Sequence, residues 1–70
     1  MNQHKRIAEY IENHGSITPM EAFMQLGITK LSTRINEMIR SGYEVDKVME
    51  SRVRDDGSIV RYMRYYRKAA

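Results

Sequence analysis

The chain has 70 residues, 41% of them hydrophobic and 30% charged, with two histidines, no cysteine and a formal net charge of +3. A single folded domain over 1–70 is expected, because a chain this short buries only about 60% of its unfolded surface and has room for one core, with a stability of roughly a few kcal/mol. Disulfides and thiolate metal sites are excluded, His4 and His14 cannot complete a zinc site alone, and no apolar run reaches the length of a membrane span or a signal peptide, so a soluble cytoplasmic protein without cofactor or membrane partner is expected.

Residues 3–14, QHKRIAEYIENH, place Ile7, Ala8 and Ile11 on one helical face with Tyr10 at its border, and Gly15 supplies the stop. Ser16 and Ile17 form a short extended link that can pair as a minor first strand. Thr18-Pro19-Met20-Glu21 is a strong helix start. Thr18 can cap, Pro19 occupies the first helical position, where its missing N–H costs nothing, and Glu21 can close a capping box. Ala22, Phe23 and Leu26 are the expected buried face of this second helix. Gly27 ends it, and Ile28 plugs the angle to the next helix.

Thr29 reads as the cap of a third helix running through Arg40 or Ser41, closed by Gly42. Leu31, Ile35, Met38 and Ile39 form its inward stripe. The other faces carry Lys30, Ser32, Thr33, Arg34, Asn36, Glu37 and Arg40, a set of cations, hydroxyls and an amide suited to base edges and phosphates. Tyr43, Val45 and Val48 then open a strand. Asp55-Asp56-Gly57-Ser58 is a hairpin turn leading into the β-prone run Ile59 through Arg67. Alternation in that last run leaves two candidate buried faces, Ile59/Met63/Tyr65 or Val60/Tyr62/Tyr66, with arginines on both.

The charge is unevenly spread. Residues 1–51 hold six cations against seven acids, a net −1, whereas residues 52–70 hold Arg52, Arg54, Arg61, Arg64, Arg67 and Lys68 against Asp55 and Asp56, a net +4. Arginine's planar fork suits bidentate contact with phosphate and guanine.

The order helix, helix, turn, helix, strand, hairpin, strand resembles that of small bacterial and phage winged helix-turn-helix DNA-binding domains. The matching pieces are the S-I-T-P-x-E-A start from Ser16, the L-G-I turn at Leu26, the L-S-T-R-I helix start at Leu31, the R-x-G-Y exit at Arg40 and the terminal RYMRYY. Phe23 stands four residues before the turn glycine, where repressor-type domains carry alanine, and this suits a winged helix better. The resemblance implies an α+β fold of three helices with a C-terminal β-hairpin wing. It also implies a role in transcription regulation or another DNA transaction of a mobile element. Carried over by position, the recognition helix supplies Lys30, Ser32, Thr33, Arg34, Asn36 and Glu37, and the wing supplies Arg52, Arg54, Ser58 and Arg61.

Each feature has a plainer reading beside it. Arg34 can simply pair with Glu37 one turn on. Asp55 and Asp56 at the hairpin tip would repel phosphate. Tyr62, Tyr65 and Tyr66 can stack on bases, but tyrosines on a half-buried strand of so small a domain are expected to pack. Met24 falls away from the expected buried face and is expected to be exposed. No nucleophile has a base beside it and no glycine loop could cradle phosphate, so an enzyme is not expected. The function expected is sequence-specific binding of double-stranded DNA, alone or as a homodimer, with residues about 30–41 in the major groove and the wing on phosphates. The alternative is a winged helix that binds a protein, as a phage-encoded inhibitor or adaptor does.

Overall fold

A computed structural model describes residues 2–68. Three helices precede a three-stranded antiparallel sheet: α1 (Gln3–His14), β1 (Ser16–Ile17), α2 (Pro19–Glu21) continued by a wider π-helical turn (Ala22–Leu26), α3 (Leu31–Arg40), β2 (Val45–Val53) and β3 (Ile59–Arg67). The architecture is the α+β arrangement of three helices and a hairpin expected above.

Local chemistry explains the element ends. The Asn2 side chain accepts from the Lys5 N–H at 2.7 Å to start α1, and Gly15 ends it in the left-handed region at φ 89°. At α2 the capping box is complete, with the Glu21 N–H donating to Thr18 Oγ1 at 3.2 Å and the Thr18 N–H donating to Glu21 Oε1 at 3.0 Å. Gly27, at φ 69°, reverses the chain so that Ile28 drops into the core.

The core is largely isoleucine. Ile7 and Ile11 of α1, Ile17 of β1, Ile28, and Ile35 of α3 are all fully or almost fully buried. Ala22, Leu31 and Met38 close the gaps between helices, and Tyr65, 5% exposed, brings β3 onto them. Strand order is β1-β3-β2. Ile17 pairs with Tyr65, while β2 and β3 pair throughout, from Val45 opposite Arg67 to Val53 opposite Ile59.

Three expectations about side chains are corrected. Phe23 is 55% exposed, because small Ala22 takes the contact point of the π turn and leaves its neighbour on the rim. Met20, Phe23 and Met24 instead share an outward apolar patch. Thr29 does not cap α3. Ile28 has to reach the core, so the chain uses Thr29 and Lys30 to turn back, and the helix begins at Leu31 with Lys30 at its cap position and no side-chain cap bond. Ile39 is 38% exposed, since Leu31, Ile35 and Met38 alone fill the inward stripe. The second strand begins at Val45 and not Tyr43, and it includes Val48 as expected.

The two candidate faces of β3 divide the work. The odd-numbered face is buried only at its base, through Tyr65 and Met63, and exposes Ile59 near the tip. The even-numbered face is half-buried along Val60, Tyr62 and Tyr66.

Candidate nucleic-acid interface

With Leu31, Ile35 and Met38 inward, a helix that turns about 100° per residue presents Thr33, Asn36 and Arg40 on the opposite side. All three are exposed, as are Lys30 and Ser32. Contacts identify the two flanks of this face. On one, Lys47 Nζ of β2 donates to Asn36 Oδ1 at 3.3 Å, which ties the wing to α3. On the other, His4 Nε2 of α1 donates to Glu37 Oε1 at 2.7 Å.

Arg34 lies on the α1 flank. Its Nη1 donates to the same Glu37 oxygen at 3.1 Å, the i,i+3 pair that its spacing allows. Its Nε is buried without a protein partner. Glu37 thus takes two donors from two helices, and the His4 hydrogen bond, aided by the nearby Arg34 charge, holds its carboxyl below the ordinary value against a smaller opposing effect of burial.

The Lys47–Asn36 bond also sets the direction of the wing. Lys47, Ser51, Arg61 and Met63 share the odd-numbered face that turns toward α3, since Ser51 is paired with Arg61 and Met49 with Met63. Arg52 lies on the opposite, even-numbered face, and Arg54, just past the end of β2, lines the same cleft with it beside the start of α2. Ser58 sits in the turn, where its N–H and hydroxyl both donate to Asp56 Oδ1, at 2.9 and 2.7 Å. Those bonds hold the Asp56 carboxyl below its ordinary value. The Arg54 N–H donates to Ser58 O at 2.8 Å and Gly57, at φ 88°, completes the reversal.

Not every C-terminal arginine faces solvent unengaged. Arg64 is a structural rivet: Nε donates to Glu50 Oε1 at 2.9 Å, and Nη1 donates to Ser16 Oγ at 3.0 Å and Glu21 Oε2 at 3.5 Å. One guanidinium thereby joins β1, β2, β3 and α2, and Glu21 serves both the capping box and the rivet. The Arg64 bond holds the Glu50 carboxyl low, and the same bond pushes the guanidinium higher still. Arg67 pairs with Glu12 of α1 and covers the Tyr43 ring at 5.6 Å. Among the described residues, Lys30, Arg40, Lys47, Arg52, Arg54 and Arg61 make no ion pair with an acid.

Lys47 was absent from the sequence-derived set, which held Lys30, Ser32, Thr33, Arg34, Asn36, Glu37, Arg40, Arg52, Arg54, Ser58 and Arg61. Alternation from Val45 would have found it, because both lie on the face of β2 that looks at the helices. Thr33, Asn36 and Arg40 share the outward side of α3, with exposed Ser32 at one edge and Lys30 at the other, and Lys47 and Arg61 lie on the adjoining wing face. Arg34 and Glu37 border that side, and Arg52 and Arg54 lie apart from it.

No group of three His, Asp or Glu side chains is placed to hold a metal, and no helix is long and apolar enough to cross a membrane, among the described residues. No curated protein and no solved structure gives a significant match to the chain. The family described as the winged helix-turn-helix domain matches residues 2–67, which takes in all three helices and both strands of the hairpin. That fold is in general a DNA-binding fold. On this match and this order of elements, the chain belongs to the winged helix-turn-helix domain family.

Proposed function

We propose that the chain binds double-stranded DNA sequence-specifically in the cytoplasm, as a small regulator of the kind that phages and mobile elements encode. The mobile-element setting rests on the motif resemblance. The outward side of α3 lies in the major groove, where Ser32, Thr33 and Asn36 meet base edges and Lys30 and Arg40 meet phosphates. Lys47 and Arg61 hold the backbone alongside. Arg34 and Glu37 form the border of this surface, with Arg34 restrained by its pair.

The observation that carries the reading is the collection of exposed polar groups and unpaired cations on one side of α3, continued by the wing face that Lys47 fastens to Asn36.

The reading is tested by fluorescence-anisotropy titration of a random duplex pool at two salt concentrations. Wild type is compared with Lys30→Ala/Arg40→Ala, Lys47→Ala/Arg61→Ala and Arg34→Ala. The first two variants should weaken binding about tenfold or more, and Arg34→Ala should weaken it less. Folded wild-type protein that fails to bind any duplex at low salt would overturn the proposal.

A further inference from the structure

The wing has a second face. On it, Val60 and Tyr62 of β3 stand across from Pro19 and Met20 of α2 and enclose a cleft of about 350 Å³. Arg52 and Arg54 line its rim, both exposed and, among the described residues, without an acidic partner. The cleft's own acid is already occupied, because Glu21 serves the capping box and Arg64. Its free charge is therefore positive, above an apolar floor.

We infer that this cleft binds an extended acidic segment of another protein, with two carboxylates on alternate residues and an apolar side chain beyond them. Three features select this occupant. Arg52, near the end of β2, and Arg54, the first residue beyond it, line the same cleft two residues apart, roughly the 6–7 Å repeat of alternate side chains in an extended peptide. Both forks can then take a carboxylate each. Val60 lies directly across from Arg52 in the register, so an apolar residue next to the second carboxylate meets Val60, Met20 and the Tyr62 ring. Beyond Met20, Phe23 and Met24 extend the apolar shoulder outward.

A DNA backbone fits this place less well. The cleft is on the face of the wing turned away from α3, and a cavity of this size takes one or two side chains, whereas a duplex is a convex rod about 20 Å across. One domain would thus hold DNA on one side and a protein on the other. Recruitment of that kind would add to the specificity of a single module.

The experiment is a titration of the ¹⁵N-labelled chain, followed by amide shifts, with three synthetic peptides and a random-sequence duplex. One peptide carries two glutamates on alternate residues followed two residues later by leucine. The others replace the glutamates with lysine or the leucine with serine. The first peptide should move the amides of Met20, Glu21, Val60 and Tyr62 saturably, and each control should bind about tenfold more weakly or worse. Arg52→Gln/Arg54→Gln should abolish the peptide response while duplex affinity falls no more than about threefold, with retained spectral dispersion showing that the variant is folded. Two results overturn the inference. Either the acidic peptide shifts no cleft amide, or the paired glutamine variant loses duplex affinity as severely as Lys30→Ala/Arg40→Ala, which would assign both arginines to DNA.

Discussion

Glu37 receives the imidazole of His4 from α1 and the guanidinium of Arg34 from its own helix on one carboxylate oxygen. Glu50 and Asp56 are held in the same sense, Glu50 by the Arg64 bond and Asp56 by Ser58. All three carboxyls ionise more easily in the folded chain than in the unfolded one. Their contribution to stability is complete above the ordinary carboxylate range, about 4, and is lost as the pH falls through the lowered folded values. Thermal unfolding followed by circular dichroism should therefore give a flat Tm from about pH 7 to 5 and a decline below about pH 4. Glu37→Gln and Glu50→Gln should each start lower at neutral pH and decline less. A Glu37→Gln curve that runs parallel to wild type through the acid range would show that the His4–Glu37–Arg34 contact adds nothing in solution. These groups are solvent-screened, so each effect alone should be small.

At the scale of elements, what could be read in advance was what depends on short-range rules. The extent of α1, the Thr18–Glu21 capping box, the Gly15 and Gly27 reversals and the Asp-Gly hairpin all follow from residues within a few positions of one another. The misread side chains depend on partners far along the chain. Phe23 and Ile39 are apolar and correctly spaced, but the available contact area was already taken by Ala22 on the π turn and by Leu31, Ile35 and Met38 on α3. The orientation of β3 was illegible because both of its faces are half covered, one by the core and one by α2, and both carry arginine. The same uncertainty hid Lys47 and the separation of Arg61 from Arg52 and Arg54. These differences predict contrasting mutational costs. Ile35→Ala should cost about 2–4 kcal/mol, most of what so small a domain possesses, and leave the chain largely unfolded by chemical denaturation at room temperature. Phe23→Ser, on the exposed patch, should shift the midpoint only slightly. A loss at Phe23 comparable to that at Ile35 would mean the patch is covered in solution.

For the whole molecule, the uneven charge of the sequence resolves into cations that hold the fold and cations that remain available. Arg64 and Arg67 fasten the sheet to the helices, while Lys30, Arg40, Lys47 and Arg61 line the side proposed to meet DNA. The described residues extend 39 × 26 × 21 Å, so one copy is about as long as a single turn of duplex, roughly 34–36 Å. Contact on that scale with about four to six phosphates predicts that log K falls with log salt at a slope of about −4 to −5. A slope near −1 would confine the contact to one or two phosphates and exclude the joint use of α3 and the wing. The two-residue strand β1 has a further consequence, for how the chain comes to fold. Ile17 pairs with Tyr65, so a strand residue that precedes α2 and α3 waits for a partner that follows them and the hairpin turn. As the chain is synthesised, its three helices emerge first with their isoleucines incompletely covered. The cooperative structure closes only once β3 has followed and paired with β1.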